Sequence, residues 1–176
     1  MNEIPDDRIP VDADLSVARI EGDVELCRSP VCLALIAYWQ DLAARSDNRP
    51  LWRDIQLMDL YKIAHYLVVK DVIGNGEDYI NRFWGTAVTE GLGFDGTYTR
   101  VTAYKPAQMR RTVQRRYDRL VKTSEPEMVR GFITTMPEQK NLPFELVHLP
   151  LWGDGEGVRH IISAYHFGFV WPDDFD

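Results

Sequence analysis

The chain has 176 residues, of which 45% are hydrophobic and 27% charged, the composition of an ordinary globular domain with apolar material for one core. Its formal net charge of −7 argues against a molecule built to hold nucleic acid, and no run approaches the roughly 20 apolar residues of a membrane-spanning helix. Cys27 and Cys32 are too few for a disulfide framework and have no His or Cys cluster beside them to suggest zinc. The N-terminus is acidic and carries no apolar run, so no signal peptide is expected. A soluble, cytoplasmic protein with two reduced thiols follows as the expectation.

Residues 1–29 read as an acidic arm without a core of its own; within 1–25, Glu3, Asp6, Asp7, Asp12, Asp14, Glu21, Asp23 and Glu25 stand against Arg8 and Arg19. Residues 30–48 then predict a helix, with Ser29 as N-cap and Pro30 at the first helical position. Val31, Leu35, Tyr38, Trp39 and Leu42 recur at helical spacing, whereas Leu33 and Ile36 fall off that face. Such a helix should be covered on two sides, by a sheet and by a second subunit.

The core is expected over 49–170. A short helix runs into a strand from about Tyr66 to Ile73, a Gly74–Glu77 turn follows, and "DYINRFW" is the partner strand. "GTAVTEGLG" predicts a short helix with Thr86 as N-cap, and "DGTYTRVTAY" is irregular. The segment 107–123 is the clearest helix: Met109, Val113, Tyr117, Leu120 and Val121 share a face, while Arg110, Arg111, Arg115, Arg119 and Lys122 cover the rest. Three strands in an antiparallel meander close the domain, and 171–176 is an acidic tail. The sum is one five-stranded α+β domain.

Gly91–Gly96, "GLGFDG", matches G-x-G-x-x-G, the pattern of loops that hold a dinucleotide pyrophosphate. That chemistry needs a strand to end at the first glycine and a helix to begin after the last. Here the strand ends near Trp84, seven residues early, and "TYTRVTAY" after Gly96 does not start a helix. NAD is therefore not expected. Gly91 or Gly93 instead stops a helix in the left-handed conformation, Gly96 sits in an Asp-Gly turn, and the glycines shape the mouth of a pocket.

The run "YWQDLAAR…RPLWRDIQLMDLYKIAHYLVVKDV…YINRFWGTAVTEGLGFDGTY" resembles the short PAS-like proteins of alphaproteobacteria. Their pattern has a Trp-bearing helix, an R-x-D-I-x-P segment, a strand ending in D-V, then a strand into Gly-Thr and G-x-D-x-T-G. Gly85-Thr86 with Gly93, Asp95 and Gly96 match best, over a resemblance spanning about residues 30–167. Leu57 stands where the family often has proline, and Thr97 follows Gly96 where the order tends to be reversed. The resemblance implies a PAS-like antiparallel sheet with helices on one face and an N-terminal helix covering the other. It also implies a sensor or protein-interaction module in bacterial signalling, dimeric through that helix, with a signalling protein as a further partner. Some PAS domains hold haem, flavin or a small organic molecule between sheet and helices. A photoactive flavin needs a cysteine on the helix beside its ring, and Cys27 and Cys32 precede the core; of His65, His148, His160 and His166, none lies on the central helices where haem ligands are common. Haem and flavin are thus not expected.

Alternation away from Glu145 puts Phe144, Leu146, His148 and Trp152 on one sheet face and Val147, Leu149 and Leu151 on the other. Trp84, Thr86, Phe94, Phe144 and His148 form the candidate pocket, although core packing also accounts for the aromatics and a neighbour bond for His148. Arg110, Arg111, Arg115 and Arg119 present a basic face. It can be solvated, can lie against the acidic arm, or can bind an anionic partner. No nucleophile, base and orienting group converge, and Asp173-Asp174 lie on the tail, so a non-catalytic module is expected. The alternatives are an enzyme of unrecognised class, or an anion- or RNA-binding module using helix 107–123.

Overall fold

The computed structural model describes residues 16–135 and 141–171. Its elements are β1 (Ser16–Gly22), α1 (Pro30–Ala44), β2 (Leu67–Ile73), β3 (Asp78–Trp84), α2 (Thr86–Leu92), α3 (Ala107–Thr123), β4 (Glu127–Ile133), β5 (Leu142–Trp152) and β6 (Val158–Phe167). The strands form one antiparallel sheet in the order β1-β4-β5-β6-β2-β3. The fold is α+β, but the sheet has six strands and not five. The sixth, β1, lies within the stretch read as an arm and pairs with β4 through a register shift between Ala18 and Ile20. An edge strand is held by backbone pairing more than by burial, and Ile20 is 36% exposed, so the usual apolar alternation is weak there. Residues 1–15 lie outside the described residues.

Ser29 caps α1 as its sequence predicts: its hydroxyl accepts from the Cys32 N–H, with Pro30 at the first helical position. Val31, Cys32, Leu35, Ile36 and Leu42 pack on Leu67, Val69, Val147, Leu149, Leu151, Ile162 and Ala164. Ile36, expected to need a second subunit, is buried within its own chain, while Leu33 remains 45% exposed. Leu35 is fully buried, and truncating such a side chain to alanine costs about 2–5 kcal/mol.

The opposite face carries Val68, Val72, Val129, Phe144, Leu146 and Ile161, packed with residues of α2, α3 and the turn Val101–Ala103. Glu145 therefore points towards α1, with Val147, Leu149 and Leu151, as strand alternation requires.

Local details depart from expectation in four places. The stretch before β2 is a series of 3₁₀ turns, Trp52–Asp54, Leu57–Leu60 and Ala64–Tyr66. Thr86 is not an N-cap; Gly85 holds that position with no side-chain bond, and its Cβ, were it present, would lie 2.2 Å from the His65 carbonyl oxygen. The segment read as a tail begins with Trp171, which is buried against the Phe132 ring and the Arg130 guanidinium; residues 172–176 lie outside the described residues. In the β2–β3 hairpin the left-handed conformation falls on Gly74 and Gly76 and not on Asn75.

Candidate ligand cavity between the long helix and the sheet

A cavity of about 60 Å³ lies between α3 and the sheet. Met109, Thr112, Val113, Arg116 and Tyr117 of α3 form one wall; Phe144, Leu146, His148, Tyr165 and Phe167 of β5 and β6 form the facing one. Trp84, Leu92 and Tyr104 close the side, and the exposed Gln108 stands among the lining residues. The space suits a molecule of few heavy atoms and is smaller than the engineered benzene-binding cavities of proteins.

Of the residues predicted for the pocket, Trp84, Phe144 and His148 line the cavity. Thr86 does not: it is the exposed first residue of α2. Phe94 does not either; its ring stands behind the wall, packed on Trp84 and Tyr104 with centroids 5.4 and 5.8 Å away.

The glycines of "GLGFDG" make room for the rings of this wall. A Cβ on Gly91 would sit 2.1 Å from the Phe167 ring, and one on Gly96 2.7 Å from the Trp84 ring. Gly93 ends α2 with φ 77, the left-handed cap expected of it. The Gly96 carbonyl accepts from Asn81 Nδ2 at 2.7 Å, while the turn closes through Asp95 Oδ1, which accepts from the Thr97 N–H.

The polar groups form a connected set. His148 Nδ1 lies 2.6 Å from Ser163 Oγ, and its ring meets Tyr117 and Tyr165 edge-on at 5.0 and 5.8 Å. Burial, and then the nearby Lys70, Arg116 and Arg119, push the imidazole well below its ordinary pKa, so it is neutral. The Tyr117 and Tyr165 hydroxyls are 3.0 Å apart, and burial raises both phenols. Tyr104 is held by Asn81 through hydrogen bonds of 2.8 and 3.2 Å.

Two cations accompany them. Lys70 on β2 is only 1% exposed, and its Nζ lies over the rings of Tyr117 and Trp84, 4.8 and 5.7 Å from their centroids. Burial lowers its pKa to about 7. Arg116 on α3 is 5% exposed; its Nη2 donates to Glu21 Oε1 at 3.0 Å, and its buried Nε has no partner. Neither was foreseen, although both carried a signal. Lys70 alternates with Val68 and Val72, and Arg116 falls seven residues after Met109, on the apolar stripe of α3.

The basic face of α3 is partly answered from within the chain. Glu21 of β1 lies 3.8 Å from Arg115, 3.0 Å from Arg116 and 3.9 Å from Arg119, and Arg119 also pairs with Glu127. Arg110 is half-buried and Arg111 exposed. Among the described residues there is no cluster of three or more His, Cys, Asp or Glu side chains arranged to hold a metal ion, and no helix long and apolar enough to cross a membrane.

No protein-family model matches the chain, and no curated protein matches it.

Proposed function

We propose that this chain is a non-catalytic PAS-like sensor or protein-interaction module of bacterial signalling, holding a small organic molecule between α3 and the sheet. The observation that carries the reading is the cavity itself, walled by rings and aliphatic side chains with a few convergent polar groups. The element order supports the PAS-like part: a two-stranded hairpin, short helical segments, one long helix, then three strands, after an N-terminal helix. The non-catalytic part rests on Ser163 and His148. Ser163 is fully buried, and among the described residues no carboxylate accepts a hydrogen bond from His148 to orient it as a base.

Native mass spectrometry of the purified full chain, with its absorption spectrum, tests this. The expected result is a small bound mass that is released on unfolding. An empty protein that no member of a metabolite collection stabilises thermally would overturn the ligand reading. Dimerisation belongs to the same proposal, through the outer side of α1, where Leu33 and the nearby Leu26 are 45% and 42% exposed. A monomeric mass by light scattering at micromolar concentration would end it.

A further inference from the structure

We infer that the molecule held in this cavity is a small carboxylate with an apolar body, its charge received by Arg116 Nε and the field of Lys70. The inference rests on the reading that the cavity holds a ligand, and it names the chemical class of that ligand.

A buried donor without a partner forfeits its hydrogen bond to water and gains nothing in exchange. Arg116 Nε is such a donor, on a side chain that lines the cavity. Lys70 has the same problem in a stronger form: among the described residues no carboxylate pairs with it, and its Nζ lies over the faces of Tyr117 and Trp84, two rings of the cavity wall. Among the described residues no Asp or Glu lines the cavity. The nearest acids are engaged elsewhere: Glu21 with Arg115, Arg116 and Arg119, and Glu127 through Oε1 with Arg119, its Oε2 remaining without a partner. Among the described residues Arg115, Arg116 and Arg119 thus share Glu21 and Glu127, Lys70 has neither, and His148 is neutral, so the cations around this wall outnumber the carboxylates that reach them.

The remaining donors fit two oxygens. When Tyr117 and Tyr165 share one hydrogen bond, the second phenolic O–H stays free to donate. A guanidinium N–H and a phenol O–H match the two oxygens of a carboxylate. The wall also carries Met109, Val113, Phe144 and Leu146 beside Thr112 and Thr134, which suits a short aliphatic body.

Lys70 does not itself line the cavity but lies over the Tyr117 and Trp84 rings of its wall; a carboxylate on the other side of that wall favours its charged form, so binding should draw in a proton above neutral pH. The groups around Lys70 that bear on this are Arg116 and Tyr117 of α3, His148 of β5, Tyr165 of β6 and Tyr104; none supplies a negative charge at neutral pH.

The test is calorimetric titration of the full chain with propionate and isobutyrate, each beside its neutral amide, at pH 8 in buffers of different ionisation enthalpy. The acids should bind at least about tenfold more tightly than the amides, since a hydrogen bond to a charged group is the stronger kind. Binding should take up a proton, and Lys70→Met should abolish that uptake while the protein stays folded. Arg116→Gln should weaken the acids and leave the amides unchanged. Amides binding as tightly as acids would overturn the carboxylate and leave the ligand cavity standing. If no probe binds, the molecule retained on native mass spectrometry decides: an acid supports the inference, a neutral molecule overturns it, and an empty protein overturns both readings.

Discussion

The two faces of the sheet treat buried charge in opposite ways. On the α1 face, Glu145 is fully buried and fully served. Its Oε1 accepts from the Arg28 and Ser29 N–H groups at 2.8 and 2.7 Å, and its Oε2 from Arg130 Nε at 3.0 Å; Arg130 in turn donates to the Leu26 carbonyl at 2.8 Å. On the α3 face, Lys70 has only rings around it and Arg116 keeps an unanswered N–H. A satisfied buried network fixes one arrangement of chain, here the docking of the segment leading into α1. An unsatisfied one is a standing cost to the fold and a place where a ligand gains. The first face is architecture, and the second carries the cost that the proposed ligand would relieve.

The contrast is broken hardest at Glu145. Glu145→Ala leaves Arg130 buried without its partner and strips two backbone donors, so it should destabilise the protein by about 3–5 kcal/mol in urea denaturation. Glu145→Gln, which keeps an acceptor, should lose less.

The same operation on the other face should have the opposite sign. Lys70→Met removes an unpaired buried charge and should stabilise the protein by a few kcal/mol at pH 7 and below. In the folded protein Lys70 releases its proton near pH 7, whereas in the unfolded chain it holds it to about the ordinary 10.5. Between those limits the unfolded state binds more protons, so the wild-type protein gains stability with rising pH. The advantage of Lys70→Met should therefore be greatest below pH 7 and fade towards 10.5. A pH-independent difference would mean that Lys70 is not the titrating group.

Gly91→Ala sharpens the comparison at the cavity wall. The added methyl meets the Phe167 ring, which must move. Overpacking of this kind costs about 1–3 kcal/mol, offset by the ~1 kcal/mol that alanine gains over glycine within a helix. The net loss should be small by thermal melting, with a larger change in ligand retention because Phe167 lines the cavity.

Where the pattern was apolar, it was legible. Helical spacing and the Ser-Pro start located α1, and alternation around Glu145 sorted β5 into its two faces and brought Phe144 and His148 to the cavity. Hydrophobic periodicity identifies inward positions by their apolarity, so it assigns charged residues outward by default. Lys70 and Arg116 escaped for that reason, although each sits on an apolar stripe. β1 escaped because an edge strand needs little apolar signal of its own. The cavity wall was only half legible, since whether Trp84 or Phe94 reaches the space depends on how the α2 segment turns, which the glycines permit but do not specify.

The helix caps give the finest test of the same lesson, because two residues carried the same signal. Ser29 and Thr86 both precede a helical run with a hydroxyl side chain. Only Ser29 caps: its Oγ lies 3.3 Å from the Cys32 N–H and 2.8 Å from His166 Nδ1. Thr86 has already entered the helix, because the close approach of Gly85 to the His65 carbonyl places the cap one residue earlier. Ser29→Ala should therefore cost about 1 kcal/mol, somewhat more if the orphaned His166 nitrogen finds no water. Thr86→Ala, at an exposed helical position, should change stability by under ~0.5 kcal/mol. Equal losses from the two substitutions in chemical denaturation would contradict the assignment of Gly85 as the cap, and with it the backbone contact that sets where α2 begins.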